Sequence, residues 1–253
     1  MDGRFFDMDS QLTAMRERQA RVSPALVEEF ERRLEISWIY HDSALEGVVL
    51  SYSEIKAAID KKIISDVSLI PSYEEIKAFK AAIEWSKEQA ASKKKPVTLE
   101  TIRKLYSILT PYEVAKGIPY RKDNPLHRLY YHEISPPDKI TQRMKKLGEW
   151  LDEDATRRMH PVERAARTHF KLMNVYPWTQ NTGRVARVLS NAILAREGYP
   201  PAIVHSIDRQ RYYEVLRSEN AGIVPIYVEA VATSIETAIK FYDETKAVRR
   251  RAS

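Results

Sequence analysis

The sequence predicts an all-α protein with one small β-hairpin, and three observations carry that prediction. Glycine is scarce, 7 in 253 residues. The strong helix formers Ala, Glu, Lys, Arg and Leu are abundant. Apolar residues recur at helical spacing through long stretches, which gathers them on one face. Helices are expected over 8–20, 24–45, 52–61, 72–90, 98–109, 137–153, 161–175, 183–197, 208–217 and 222–246.

Local signals support these elements in chain order. Ser23 stands as N-cap before "PALVEEF", with Pro24 in the first turn, where its missing N–H costs nothing. Ser72 precedes Glu75 by three residues, a capping-box arrangement. Thr98 caps "LETIRKLYSIL", with Thr101 rather than Glu at N3. The segment 117–134, "GIPYRKDNPLHRLYYHEI", breaks the helical pattern with Gly117, Pro119 and Asp123-Asn124-Pro125 around an aromatic run, and reads as the β-hairpin or an extended flap. Prolines lead into "DKITQRMKKLGEWL". "HPVERAARTHFKLMNV" makes a helix, "YPWTQNT" breaks it, and "GRVARVLSNAILAREG" starts another that Gly198 ends. "ASKKKP" at 91–96 is the one linker-like stretch and is too short to separate independent domains, so a single domain with an N-terminal helical extension is expected, with a helical region 1–95, a core 96–220 and a C-terminal helix with basic tail, 221–253.

Composition narrows the class. With 43% hydrophobic residues the chain has ample material for a buried core. It has no cysteine, which excludes a disulfide framework and thiolate zinc, and makes the cytoplasm the default location. The start lacks a basic region followed by an apolar stretch, and no 18 apolar residues run together, so a soluble protein with no membrane partner is expected. The net charge of +6 is dispersed apart from 92–95 and 249–251; such short runs read as solvated ends, and nucleic acid is not expected as a partner.

The turn at 176–187, "YPWTQNTGRVAR", carries the chemistry. Gly183 lets the backbone approach closely, and the exposed N–H groups and positive dipole end of the following helix favour an anion. Arg184 and Arg187, three apart, share a helix face near that start, where forked guanidinium donors suit phosphate oxygens. The plain alternative is a pair of arginines held in salt bridges.

This turn resembles the active-site motif of Fic domains, His-Pro-Phe-x-Asp/Glu-Gly-Asn-Gly-Arg-x-x-Arg, with Pro177, Gly183, Arg184 and Arg187 in register. "GIPYR" at 117–121 resembles the start of that family's target-binding flap, and "SPPDKITQRMKKLGEWL" and "LSNAILAREGYPP" resemble the stretches after the flap and after the motif. Upstream, "HDSALEGVVLSYSEI" at 41–55 is similar to the family's inhibitory-helix segment, with Glu46 and Gly47 in place and Asp42 where Ser or Thr is usual. The resemblance implies an inhibitory Glu46 paired with Arg187. It also implies a ligand such as ATP or another nucleotide at Gln180, Asn181, Thr182, Gly183, Arg184 and Arg187.

The departures weaken the family's chemistry. Tyr176 stands where the motif histidine acts as base, and a phenol with an ordinary pKa of ~10 is a poor base near neutrality. Gln180 stands at the acidic metal-ligand position, and a neutral amide binds magnesium far less well than a carboxylate. Asn181 replaces a glycine and Thr182 the asparagine, while Trp178 for phenylalanine is mild. His169 lies about 10 Å along a helix from Tyr176, too far to serve the same proton. His205 and Asp208 follow "GYPPAIV" near the cleft with no spacing that makes them a catalytic pair. Three readings remain open: a nucleotide- or phosphate-binding protein with AMP transfer lost, a transferase of altered mechanism, and a non-catalytic module that captures a protein segment at the flap.

Overall fold

The computed structural model describes residues 3–60, 70–92, 96–112, 117–125, 133–218 and 222–252. Along them run α1 (Gly3–Gln19), α2 (Pro24–Leu45), α3 (Tyr52–Ile59), α4 (Ile70–Ala91), α5 (Leu99–Leu109), α6 (Ile140–Asp152), α7 (Asp154–Arg157), α8 (Pro161–Val175), α9 (Thr182–Arg196), α10 (Arg209–Arg217) and α11 (Ile223–Ala252). Short 3-10 turns at Pro137–Lys139 and Ser206–Asp208 lead into α6 and α10. Each expected helix has its counterpart, α2 and α8 with the predicted ends, and α7 is an additional single turn.

The pattern of apolar residues explains the layering. In α5 the buried set is Ile102, Leu105, Tyr106 and Leu109, and in α6 Ile140, Met144, Leu147 and Leu151, each one stripe of a helix surface. Helix α9 differs: every residue from Thr182 to Leu194 is buried, as suits a central helix enclosed by α4, α5 and α8. Helix α11 packs on α8 and on α1, so side chains from Phe5 to Tyr242 share one hydrophobic cluster. The two capping groups at Thr98 are reciprocal, with Thr98 N donating to Thr101 Oγ1 at 3.1 Å and Thr101 N to Thr98 Oγ1 at 3.4 Å.

Two expectations are corrected. No strand occurs among the described residues: 117–125 and 133–136 are irregular, and 126–132, the centre of the proposed hairpin, lie outside them. The limbs of this segment are tied to the last turn of α8 and to the turn that follows it, which leaves those backbone groups unavailable to a ladder. Arg121 N donates to Pro177 O and Ser135 N to Asn174 O, both at 2.9 Å, and the Arg121 guanidinium reaches Ser135 O and Tyr176 O. The capping box at Ser72 is also overturned, because α4 begins at Ile70 with Pro71 in its first turn, which puts Ser72 inside the helix and frees the Glu75 side chain.

The C-terminal end of α2 is held by the segment leading into α10. Leu45 O accepts from Arg209 Nε and Tyr213 Oη, each at 3.0 Å. His41 stacks on His205 at 4.3 Å, and its Nδ1 accepts from Ser206 N at 3.1 Å. Burial, reinforced by His205, pulls the His41 pKa from 6.5 down to about 4. The unfolded chain takes up a proton at 6.5 and the folded chain only near 4, so stability present above 6.5 is lost as pH falls through that window. The thermal midpoint is therefore expected to drop between pH 7 and pH 5. A His41→Gln chain should lose less over the same interval, and equal losses would assign the effect to another group.

Candidate functional site

The turn between α8 and α9 is built from unusual backbone. Helix α8 stops as Tyr176 enters the left-handed region at φ 48, its N–H still bonded to Leu172 O at 2.9 Å. A non-glycine residue there carries strain of about 1–3 kcal/mol that the surroundings must hold. They do so through Arg121 Nε, which donates to Tyr176 O at 2.7 Å, and through Trp178, fully buried and stacked on Tyr106 at 4.1 Å. Thr182 closes the loop, its Oγ1 donating to Trp178 O at 2.8 Å and accepting from Trp178 N at 3.2 Å. Asn181, at φ 57, is the α9 N-cap residue and donates Nδ2 to Leu109 O at 3.3 Å.

Both arginines of α9 are turned inward and met by carboxylates. Arg187 is 3% exposed; its Nε donates to Asp42 Oδ1, Nη2 to Glu46 Oε1 at 2.5 Å and Nη1 to Tyr212 Oη at 3.4 Å. Arg184 donates Nε to Asp42 Oδ2 at 3.3 Å and Nη1 to Glu75 Oε2 at 3.2 Å and Asn181 Oδ1 at 3.4 Å, with its guanidinium over the Phe79 ring. Asp42, 2% exposed, thus bridges the two forks with its two oxygens. Burial alone would weaken the Arg187 charge, but Asp42 and Glu46 outweigh it and hold its pKa well above the ordinary value.

Gly183 is the closest point of approach. A Cβ added there would lie 2.6 Å from Glu46 Oε1 and 3.0 Å from Arg187 Nη1. The Glu46 carboxylate therefore rests against the first turn of α9, in the place where its N–H groups and dipole favour negative charge. Glu46 arrives there from a helix end: it is the C-cap of α2, Gly47 follows at φ 89, and Gly47 N and Val48 N bond to Ala44 O and Ser43 O at 3.1 and 2.9 Å. This double closure requires the left-handed glycine and fixes the direction of the Glu46 side chain.

Of the sequence-predicted residues, the fold brings Tyr176, Asn181, Thr182, Gly183, Arg184, Arg187 and Glu46 together, and leaves Gln180 exposed on the turn. The Tyr176 hydroxyl is pushed up to about 12, by burial first and by Glu46 next, against the opposing pull of Arg187 and Arg121. It keeps its proton at neutral pH. His169 is fully buried, its Nε2 2.7 Å from Tyr212 Oη, and His205 is engaged with His41. Sequence reasoning missed Glu75, Tyr212 and Arg121 as parts of the site, and took Asp42 only for a departure from a motif. Tyr176 and Arg121 meet across 55 residues and Arg184 and Glu75 across 109, separations that carry no local signal. Among the described residues no group of three or more His, Asp or Glu side chains is placed to hold a metal ion, and no helix is long and apolar enough to cross a membrane.

Comparison with known proteins follows the same lines. Residues 96–194 match the family model described as Fic/DOC. "Protein adenylyltransferase Fic" of Nematostella vectensis is 30% identical over 208 residues, 81% of this chain and 48% of that protein. "Protein adenylyltransferase Fic" of Culex quinquefasciatus is 27% identical over 215 residues, 84% of this chain and 42% of that protein. The chain spans about half the length of these curated relatives or less. Among solved structures, Fic-1 from C. elegans superposes with a TM-score of 0.77 at 25% identity, over 96% of this chain and 72% of that one. A Fic-domain-containing signaling protein from Bacteroides thetaiotaomicron gives 0.79 at 23% identity, over 95% and 98%, a likeness of fold.

Proposed function

Because residues 96–194 are a Fic/DOC-family domain, we propose that this protein binds a nucleotide or another phosphate-containing ligand at the first turn of α9, and that Glu46 holds the seat closed. One observation carries the reading: a carboxylate of the chain itself already occupies the anion position, 2.5 Å from Arg187 and against Gly183. A seat that accepts a carboxylate accepts a phosphate oxygen by the same donors. Gly183 provides the approach, Arg184 and Arg187 the forks, and Asn181 and Thr182 fix the turn that aims them.

The ordinary AMP transfer named for the relatives fits these residues poorly. Tyr176, with its pKa near 12, keeps its proton at neutral pH and does not take one from a target hydroxyl. Magnesium does not fit either, because Gln180 offers a neutral amide where a carboxylate is needed. The turn binds and orients, and Tyr176 offers the ligand a hydroxyl that keeps its proton.

Calorimetric titration tests the proposal. A Glu46→Ala chain is expected to bind ATP or ADP at least about tenfold more tightly than wild type, since the competing carboxylate is gone. Adding Arg184→Ala should abolish the gain. Equal affinities of wild type and Glu46→Ala, or undiminished binding after loss of Arg184, would sink the reading.

A further inference from the structure

Five helices and one loop line a half-open cavity of about 400 Å³ that lies outside the α8–α9 site. It continues the seam between α2 and α9. Glu35 and Trp38 precede Asp42 by seven and four residues, on the same α2 face. Asn191 and Ala195 follow Arg187 by four and eight, on the same face of α9. The volume lies within the range of small-molecule pockets.

The chemistry of its wall is specific. Aromatic rings from Phe30, Trp38, Tyr199 and Tyr242 surround the space. Two of the neutral polar groups are already engaged: Asn191 bonds through both amide atoms to the Ala202 backbone, and Ser86 Oγ donates to Ile83 O. The charged groups are out of balance, with Glu31 and Glu35 on the wall against Lys87 alone. Glu35 is 9% exposed, yet its oxygens stand 3.5 Å from Lys80 Nζ and 3.7 Å from Lys87 Nζ, longer than hydrogen bonds. Lys80 is shared with Glu84, and Lys87, its side chain 48% exposed, is shared with Glu31 at 3.8 Å. The field of Glu31 reaches the far wall, where it joins burial in raising the Tyr242 hydroxyl to about 12.

From these observations we infer that the cavity is a binding site for a small organic cation with an apolar or aromatic body. Its ammonium group takes the place of Lys87 beside Glu35, where it gains a short charge-assisted hydrogen bond. The body lies among rings whose negative faces attract cations. A neutral ligand forgoes both gains, and an anion meets two carboxylates.

Three probes with one apolar body decide the matter: phenethylamine, 2-phenylethanol and 3-phenylpropionate, titrated calorimetrically into the full 253-residue chain. The amine is expected to saturate on the order of millimolar, at least about tenfold tighter than the alcohol, with no binding of the carboxylate. Glu35→Gln should bring the amine to the affinity of the alcohol, and Ala195→Leu, which fills the space, should abolish both. Equal binding of amine and alcohol, binding of neither, or undiminished amine binding by a folded Glu35→Gln chain would overturn the inference. The wild-type series decides alone, so the result does not depend on either variant folding.

Discussion

An Asp42→Ala chain is expected to be less stable than wild type by about 3–5 kcal/mol, because the substitution leaves two buried guanidinium groups short of the carboxylate that bridges them. Asp42 is 2% exposed and Arg184 and Arg187 are 6% and 3% exposed, so water does little to screen the loss. For a chain of this size the thermal midpoint should fall by about 6–20 °C. Glu46 and Glu75 remain as partners, which keeps the loss from being larger. Added ATP should restore part of the midpoint by mass action, since a ligand that binds only the folded form stabilises it. A midpoint unchanged by the substitution would show that the forks do not depend on Asp42. A fall that ATP does not reverse would count against an anion seat at this position.

In a Glu46→Ala background, Tyr176→His is expected to raise transfer of labelled AMP from ATP onto protein hydroxyls by about 10²–10⁴. Imidazole, with an ordinary pKa near ~6.5, holds a basic nitrogen at neutral pH. The phenol, raised to about 12, does not. Histidine also tolerates the left-handed backbone at φ 48 better than most side chains do. Gln180→Asp adds the missing carboxylate and should increase the rate further. A flat rate across the triple variant counts against latent transfer chemistry in this turn. Conversely, a mass adduct formed by wild type and lost in Tyr176→Phe would favour the rival reading of a transferase with altered mechanism.

The helical class and the extents of α2 and α8 were legible because they depend on spacing along the chain and on residues at the helix ends. So was the approach point at Gly183, with Arg184 and Arg187 on one face. The partnership of Glu46 with Arg187 came from a resemblance and not from spacing, for nothing local in "ALEGVV" tells a partner of a distant arginine from an ordinary helix end. At 117–134, glycine, proline and aromatic residues argued for a hairpin. The described limbs instead give backbone hydrogen bonds to the end of α8 and the turn after it, and Arg121 links them from the side.

What the sequence determined by itself is a helical chain with two guanidinium forks and an approachable backbone at the start of one helix. Apart from Glu46, only the tertiary structure decided what faces those forks. Asp42 lies 142 and 145 residues from its two arginines, and Glu75 lies 109 from Arg184. Helical periodicity tells which face of a helix is buried, but the charge that meets that face comes from a different helix, and packing alone sets its distance.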